Sequence, residues 1–295
     1  MTTGDARLAA AYDTCQRIAR AHYENFPVAS WLVPASVRPH IAAVYAFARA
    51  ADDFADEPGY TERERLRLLD QWLERLHAAL GAGEPLEAGE APDHAATFTA
   101  LAHTVRTREL PVALFEALLS AFRQDVTVTR YATWAEVEDY CRRSANPVGR
   151  LVLRLFGYRD DRLDRWSDAI CTALQLTNFW QDFAIDWGRG RLYVPEAEWR
   201  PAGARLEQLT LPLPALPREW QRTLAGCVAR TRALFEQGRP LLDHVGGRLK
   251  WELRATWHGG TRVLELLEQG GFDPAAARPK LGAVDALVVG WRTLL

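Results

Sequence analysis

The sequence has few cysteines, little net charge and no long apolar run, and each shortage excludes a class of protein. Its 4 cysteines are widely spaced and form no C-x-x-C pair, which argues against a disulfide framework or a zinc site and favours a reducing compartment. The 36 basic and 38 acidic side chains nearly cancel, which argues against a nucleic-acid partner. No stretch reaches the roughly 18 uninterrupted apolar residues of a membrane span, and no signal-peptide pattern opens the chain. We therefore predict a cytoplasmic protein that binds no nucleic acid.

Several familiar catalytic motifs are missing as well. The chain has no Walker loop, GxGxxG, GxSxG or HExxH, so nucleotide, serine-hydrolase and zinc-protease sites have no support. Its 7 histidines are scattered, and we interpret each as a surface or core side chain. Lysine is almost absent, since Lys250 and Lys280 are the only two. Arginine therefore carries nearly all the positive charge, and it suits bidentate contacts with carboxylate and phosphate.

Helical periodicity covers most of the chain, and alternating strand patterns are scarce. We predict helices over residues 5–23, 36–57, 61–80, 94–107, 111–126, 133–145, 147–157, 160–187, 218–237, 246–269 and 274–294. The Gly-, Pro- and Glu-rich stretch 81–93 is interpreted as a surface connector. The stretch 187–217 contains 5 prolines that forbid a continuous helix, and a loop of that length is often functional. Neither stretch separates two self-sufficient blocks, so we predict a single all-α domain over residues 1–295.

The end of the chain is its most apolar part. Residues 281–295 are interrupted only by Asp285 and Arg292. We predict a buried closing helix here, with a peripheral membrane contact as the alternative.

The segment 41–57 carries an acidic stripe on a helix that is otherwise apolar. At about 100° per residue, four of its side chains fall within about 60° of helix face, and Asp53 lies about 80° from the first of them. The four are Tyr45, Arg49, Asp52 and Asp56. A solvated surface face is the ordinary interpretation of such a run. The sequence, however, shows no separate polar face, and buried carboxylates need a cation or a water-filled cleft.

The segment 168–186 repeats the anomaly. Its polar side chains are spaced 3, 4 and 4 residues apart and share about 80° of one face, whereas the flanking positions are apolar. They are Gln175, Asn178, Asp182 and Asp186. A hydrogen-bond network between helices is the structural alternative.

Two such carboxylate sets have a specific chemical use. Mg²⁺ prefers octahedral oxygen coordination and is commonly held by one or two carboxylates together with water and substrate phosphate. Two acidic walls across a cavity could hold several ions around a diphosphate and offset its charge as a C–O bond ionises. Arg189 and Arg191 flank Gly190 directly after the second stripe, where a flexible backbone could bring both guanidiniums to phosphate oxygens. A solvent-facing arginine pair is the alternative.

With both stripes placed, the chain resembles the squalene/phytoene synthase family of head-to-head prenyl synthases. YAFARAADDFADE (45–57) matches the first aspartate motif of that family, and QLTNFWQDFAIDWGRGRLYVP (175–195) matches the second. The resemblance implies an all-α isoprenoid (terpenoid) synthase helical fold with a central cavity and Mg²⁺-dependent diphosphate chemistry. Carried over by position, it implies metal binding by Asp52, Asp56, Asp182 and Asp186, with Asp53 and Asn178 close by. It implies diphosphate or metal-water contacts for Arg49, Gln175, Arg189, Arg191 and Tyr193, and places Tyr45 and Tyr140 at the reacting centre.

The sequence departs from the family pattern at two places, and both departures point to one subfamily. HYENFPVAS (22–30) replaces a serine-rich stretch and leaves His22, Tyr23 and Asn25 as candidate phosphate contacts. YCRRSANPVG (140–149) replaces a Y-C-Y-x-V-A-G pattern. Both variants resemble the HpnC-type hydroxysqualene synthases of bacterial hopanoid pathways. That subfamily is implied to ionise presqualene diphosphate, rearrange the cation and trap it with water.

The second variant suggests where that water could be held. Pro147 should bend its helix and free a carbonyl near residue 143, and Ser144 and Asn146 add polar groups beside the bend. We hypothesise that one ordered water is placed there, with Asn146 as a catalytic residue. Ordinary kinking, with both side chains bonded to backbone, is the alternative.

Other functions remain open at this level. One is the coupling of two prenyl diphosphates to squalene, dehydrosqualene or phytoene, and another is a non-catalytic isoprenoid-binding scaffold, which would have no need of the acids. The expected partners are presqualene diphosphate or another prenyl diphosphate, a membrane surface touched transiently, and other hopanoid-pathway enzymes that receive the apolar product.

Overall fold

The computed structural model describes residues 3–21, 33–56, 59–81 and 91–294. Within these ranges the chain is helical, and its one β-type contact is an isolated parallel bridge between Arg130 and Leu192. In chain order the helices are α1 (Thr3–Ala21), α2 (Arg38–Asp56), α3 (Glu62–Leu80), α4 (Pro92–Arg108), α5 (Val112–Thr127), α6 (Trp134–Ser144), α7 (Asn146–Leu155), α8 (Asp161–Gln181), α9 (Phe183–Gly188), α10 (Glu196–Trp199), α11 (Arg218–Gly238), α12 (Leu241–His244), α13 (Gly247–Gln269) and α14 (Ala283–Leu294).

The all-α prediction is confirmed, and two of the predicted helices need correction. The helix predicted over 160–187 is interrupted at Asp182, whose backbone leaves the helical region with φ −98° and ψ 10°. The helix predicted over 274–294 begins only at Ala283. Pro274 and Pro279 explain the second error, because proline lacks the N–H that continues a helical ladder. The proline-rich stretch 187–217 holds only short helical turns.

The chain divides into two compact units. The first comprises the residues up to Thr127 together with Arg150–Arg159, and the second comprises Val128–Gly149 and Asp160–Leu295. The prediction of a single domain over the whole chain stays a prediction.

An aromatic core holds the first unit together. Phe47 of α2 is fully buried, and its ring centroid lies 5.8 Å from that of Trp72 and 5.5 Å from that of Phe115. Trp72 also packs on Phe98 at 4.4 Å. Edge-to-face and offset contacts of this kind each contribute roughly 0.5–1.5 kcal/mol beyond the buried area. One face of α2 is therefore buried in this core, and its opposite face is available for polar side chains.

The second unit is built around α8. This helix packs against α6, α11, α12 and α13. Trp180 is fully buried at its centre and donates from Nε1 to Thr231 Oγ1 of α11 at 2.8 Å. A buried indole N–H needs such a partner, so this bond fixes the rotation of α8 against α11.

A polar cluster of Tyr12, His40, His103 and Thr104 joins α1, α2 and α4. The Tyr12 hydroxyl lies 2.8 Å from His103 Nδ1 and 2.9 Å from Thr104 Oγ1, and His40 Nδ1 lies 2.9 Å from the same threonine oxygen. Burial, the nearby Arg108 and His103 together lower the pKa of His40 from 6.5 to about 4. His40 is therefore neutral in the folded protein at neutral pH.

The lowered pKa of His40 predicts a loss of stability in acid. The unfolded chain takes up a proton near pH 6.5 and the folded chain only near pH 4, so stability falls as pH drops through that interval. We expect His40→Gln to flatten the slope of the unfolding free energy between about pH 7 and about pH 5 in urea titrations. An unchanged slope in His40→Gln would contradict the assignment.

Helix α14 is the largest departure from the sequence-based expectation. Its apolar side chains are not buried, since Leu287 is 75% exposed and Trp291 is 66% exposed. The prediction of a buried closing helix is therefore wrong. In the part of the chain that the structure describes, no helix is long and apolar enough to cross a membrane.

Candidate active site

The first acidic stripe lies on α2, on the side away from the aromatic core. Arg49 donates to Asp52 Oδ2 at 3.2 Å and to Asp53 Oδ1 at 2.5 Å. The carboxylates are accessible, because the side chain of Asp52 is 46% exposed and that of Asp53 is 41% exposed. The expectation that α2 has no separate polar face is thus wrong, since its buried arc runs through Phe47 and Ala51. The stripe is an open, partly neutralised anionic surface.

Two further members of the stripe lie on the same helix. Tyr45 is half-buried one turn before Arg49, and burial raises the pKa of its hydroxyl. This tyrosine therefore stays protonated at neutral pH and can donate a hydrogen bond. Asp56 is exposed at the last position of α2. It is placed one turn after Asp52, so the two carboxylates are neighbours on one helix face.

The second stripe lies on α8 in the other unit. Asn178 Nδ2 donates to Asp182 Oδ2 at 3.1 Å, and Arg278 Nε donates to Asp182 Oδ1 at 2.5 Å. The side chain of Asp182 is 18% exposed, so the arginine neutralises a partly buried charge. Gln175 lies one turn before Asn178 and is half-buried. Because the helix breaks at Asp182, Asp186 belongs to the short helix α9 and not to one continuous face.

A tight turn follows α9 and positions the two arginines of the second motif. The backbone N–H groups of Arg189 and Arg191 both donate to the carbonyl of Asp186, at 3.0 and 2.8 Å. Gly190 between them has φ +81°, a conformation that side chains rarely adopt. Arg130 donates to the carbonyl of Gly190 and so braces the turn. Arg189 is exposed and Arg191 is half-buried. The alternative in which both arginines face solvent therefore holds for Arg189 only.

The remaining parts of this motif pack against one another. Asp186, Arg191 and Tyr193 lie together with Phe179 and Phe183, with no space for a water molecule between them. Tyr193 stacks on Phe179 with 3.6 Å between ring centroids and an interplanar angle of 4°. The trailing R-G-R-x-Y sequence is thereby folded back onto the acid that precedes it.

Tyr140 joins this aromatic wall from α6. It is buried, and its ring centroid lies 6.0 Å from that of Phe179 and 6.0 Å from that of Tyr193. Tyr131 completes the wall at 5.7 Å from Tyr193. Aromatic faces carry negative electrostatic potential, so a wall of this kind can stabilise a cation beside it.

The turn between α6 and α7 differs from the predicted kink. Pro147 does not bend a helix interior; α6 ends at Ser144, and Pro147 occupies the first turn of α7, where proline is tolerated. Asn146 is buried, and its Oδ1 accepts a hydrogen bond from Thr172 Oγ1 of α8 at 2.9 Å. Ser144 Oγ is buried and has no hydrogen-bond partner among the described residues. The alternative in which both side chains bond to backbone is not observed.

Some of the predicted residues are not placed. His22, Tyr23 and Asn25 lie outside the described residues, so their proposed phosphate contacts stay predictions. Conversely, Arg130 and Arg278 touch the second motif and were not predicted. Both are far from it along the chain. The 36 basic residues include 2 lysines and therefore 34 arginines, and no sequence pattern distinguishes these two from the rest.

The donor set fits a hard divalent cation such as Mg²⁺. The candidate ligands are carboxylate and amide oxygens, without sulfur or imidazole. Among the described residues, no group of three or more His, Cys, Asp or Glu side chains is close enough to hold a metal ion by itself. An ion at either stripe would therefore take one or two protein ligands and complete its shell with water and phosphate oxygens, as Mg²⁺ commonly does.

Comparison with known proteins decides the family. The squalene/phytoene synthase family model matches residues 19–285. The chain belongs to this family. The hydroxysqualene synthase of Rhodopseudomonas palustris is 36% identical over 277 residues, which cover 91% of this chain and 87% of that protein. The hydroxysqualene synthase of Sinorhizobium fredii is 34% identical and covers 90% of this chain and 86% of the relative.

Solved structures confirm the fold. The crystal structure of squalene synthase HpnC from Alicyclobacillus acidocaldarius superposes with a TM-score of 0.78 at 40% identity, covering 90% of this chain and 96% of that one. A dehydrosqualene synthase shares the fold at a TM-score of 0.84 and 18% identity, covering 99% and 98% of the two chains. The isoprenoid synthase fold predicted from the motifs is thus confirmed, and the chain is an enzyme of isoprenoid biosynthesis. The central cavity and the roles of individual residues stay predictions.

Proposed function

We propose that this enzyme converts presqualene diphosphate and water to hydroxysqualene and diphosphate, with Mg²⁺ bound. The observation that carries the choice of product is the match, over about nine-tenths of the chain, to the two relatives named hydroxysqualene synthase. The acidic stripes, the arginine turn and the aromatic wall supply the groups that such a reaction needs.

Each of the two stripes would hold Mg²⁺. Asp52 and Asp56 offer oxygens from α2, Asn178 and Asp182 offer them from α8, and Asp53 and Asp186 lie beside these sets. Mg²⁺ bound there supplies positive charge that offsets the charge growing on the departing diphosphate. Arg49, Gln175, Arg189, Arg191 and Tyr193 would bind the diphosphate oxygens or the waters around them. His22 and Asn25 are retained as candidate phosphate contacts.

The carbon chemistry needs an inert wall and one water. The C–O bond breaks with both electrons on the diphosphate oxygen, and the cyclopropylcarbinyl cation rearranges. The oxygen of water then forms the new C–O bond, and the released proton passes to the diphosphate. Tyr45 and Tyr140 are the residues proposed at the reacting centre. Tyr140, Phe179 and Tyr193 form the aromatic cluster beside which the cation would lie, and aromatic rings stabilise a cation without attacking it.

The proposed function is tested by comparing the products of two separate incubations, each with a different substrate. With presqualene diphosphate, Mg²⁺ and no reductant, we expect hydroxysqualene and diphosphate in equal amounts. With farnesyl diphosphate alone we expect no C30 product. Formation of squalene, dehydrosqualene or phytoene from two prenyl diphosphates would replace the proposal by the coupling reaction. If no prenyl diphosphate released diphosphate, the protein would instead be an isoprenoid-binding scaffold.

The turn between α6 and α7 is proposed to hold the attacking water. Ser144 follows Tyr140 by one helical turn, so both lie on the same face of α6, and Tyr140 packs on Phe179 of α8. Thr172 fixes the amide of Asn146 from α8. A buried hydroxyl without a partner costs free energy, and a bound water would supply the missing bond. Ser144 and Asn146 would thus hold a water next to the aromatic wall.

The double variant Ser144→Ala/Asn146→Ala tests the water site. We expect the ratio of alcohol to dehydrated polyene to fall by about five- to tenfold, because a hydrogen bond to a positioned water contributes roughly 1–1.5 kcal/mol. Product analysis by gas chromatography measures the ratio. Thr177→Ala is a matched control, because it removes a buried hydroxyl that already bonds to Ala173 O within α8. An alcohol fraction that stays at the parental value in the double variant would remove the water site.

Arg278 is expected to compete with Mg²⁺ for Asp182. Removing its charge in Arg278→Gln frees a carboxylate that the arginine neutralises at 2.5 Å. We expect Mg²⁺ in the presence of inorganic diphosphate to bind about two- to tenfold more tightly, in line with the modest energy of a partly exposed ion pair. Isothermal titration calorimetry measures the affinity. Weaker Mg²⁺ binding in the variant would show that Arg278 assists the metal complex instead of opposing it.

A further inference from the structure

Helix α14 is attached to the protein by its polar side. Asp285 accepts from Arg262 Nε of α13 at 2.8 Å, and Arg292 donates to Glu265 of α13 at 2.6 Å. Arg262 also donates to Glu265 at 2.7 Å, so the four side chains form one ion-pair network. The two charged residues of α14 thus point inward, which reverses the usual arrangement in which a surface helix buries its apolar face.

The opposite side of α14 is an apolar face exposed to solvent. At about 100° per residue, its four large apolar side chains fall within about 80° of one another, and no charged residue of the helix shares that arc. They are Val284, 71% exposed, Leu287, 75%, Trp291, 66%, and Leu294, 69%. Leu281, 45% exposed, precedes the helix and extends the apolar surface. We call these five residues the α14 apolar face.

The size of this face disfavours a second protein molecule as its partner. A 12-residue helix is about 18 Å long. The α14 apolar face has five residues, whereas a stable protein interface uses about 20–30 residues on each partner. An amphipathic helix that lies in a bilayer interface needs only its own apolar side.

The surroundings of the face fit a lipid surface. Lys280 lies directly before Leu281 and is exposed. At the other end of α14, the Thr293 carbonyl accepts from Arg254, whose guanidinium lies 5.8 Å from the ring centroid of the exposed Trp251. Lys250 is next to that tryptophan in sequence. Tryptophan is favoured at the level of lipid headgroups, and lysine reaches anionic headgroups while its stem remains apolar.

We propose that the α14 apolar face inserts into the headgroup region of an anionic lipid bilayer and holds the enzyme at the membrane surface. The inference rests on the proposed function only in that its substrate and product are long isoprenoids, which partition into lipid. Leu287 and Trp291 would enter the acyl boundary, and the ion pairs with α13 would keep the helix fixed to the protein. The enzyme would then take substrate from the bilayer and return product to it without a spanning segment.

Vesicle flotation tests the proposal without any substrate. The protein is mixed with vesicles of phosphatidylglycerol and phosphatidylcholine and centrifuged through a density gradient. We expect the parent chain to float with the vesicles and Leu287→Gln/Trp291→Gln to show at least about a tenfold lower bound-to-free ratio, because two large apolar side chains no longer enter the lipid. Leu211→Gln removes another exposed leucine, 60% exposed, and should float like the parent. Circular dichroism shows that each variant is folded.

Three outcomes would overturn the proposal. The parent chain could fail to float, the double variant could float as well as the parent, or sedimentation equilibrium without lipid could show a dimer that the double variant dissociates. The last result would identify the face as a contact between copies of the chain. A chain that floats but releases no diphosphate would instead refute the proposed function alone. Diphosphate release from micellar substrate without flotation would refute only the membrane contact.

Discussion

The variant Asp182→Asn is expected to lower kcat for diphosphate release by about 10²–10³-fold. Asparagine keeps the shape of the side chain and its hydrogen bond with Asn178 but removes the negative charge that we propose binds the cation. The loss should fall on kcat, since the charge on the diphosphate grows as the C–O bond breaks and is largest in the transition state. Steady-state kinetics over a range of Mg²⁺ concentrations measures both the rate and the metal requirement.

Asp160→Asn is the matched control on the same helix. Asp160 caps the start of α8 by accepting from the backbone N–H of Arg162 at 2.8 Å, and asparagine caps a helix about as well as aspartate. The same chemical change at the other end of α8 should therefore leave kcat within about twofold of the parent. Equal kcat values for Asp182→Asn and the parent would show that Asp182 does not act in the metal site.

Gly238→Ala is expected to destabilise the second unit by about 3 kcal/mol and to lower Tm by roughly 6–12 °C. A Cβ built on Gly238 would lie 2.5 Å from Ile170 Cγ1 and 2.7 Å from the carbonyl oxygen of Trp166 on α8. The backbone carbonyl cannot move away as a flexible side chain could. Helices α8 and α11 would have to separate, and the bond between Trp180 and Thr231 depends on their spacing.

Gly226→Ala provides the contrast within the same helix. Gly226 lies on the exposed side of α11, and a Cβ there meets no atom within 4 Å. Alanine has the higher helix propensity by about 1 kcal/mol, so this variant should raise Tm slightly. Differential scanning calorimetry of the two variants separates close packing from propensity. A Gly238→Ala protein with the parental Tm would contradict the tight α8–α11 contact.

The helices could be predicted because their signal is local. Apolar residues spaced 3 and 4 apart, prolines and glycines mark a helix within a few positions of itself, and the predicted helices have counterparts in the structure. The errors also have local causes. Pro279 interrupts the helix predicted over 274–294 before α14 begins. Asp182 has non-helical backbone angles and ends α8 within the helix predicted over 160–187.

The candidate site could be predicted in part for the same reason. The acids of α2 share one helix face, so their spacing in sequence is their spacing in space. The same holds for Gln175 and Asn178 on α8, but the break at Asp182 takes Asp186 off that face. Their partners could not be predicted, because Arg278 reaches Asp182 across 96 positions of sequence and Arg130 reaches Gly190 across 60. Such contacts arise when different helices and loops pack together, and the hydrophobic periodicity of the sequence carries no information about that packing.

The sequence by itself determined the helical class, the two acidic stripes and the family resemblance, since each depends on residues within a few turns of one another. Only the tertiary structure decided which side of each helix meets solvent. Helix α14 has an apolar and a polar side in either case, but its ion pairs with Arg262 and Glu265 turn the polar side inward. A hydrophobic pattern predicts that a helix has one apolar face that is unstable in water. The surrounding elements decide whether that face packs against protein or contacts another apolar phase.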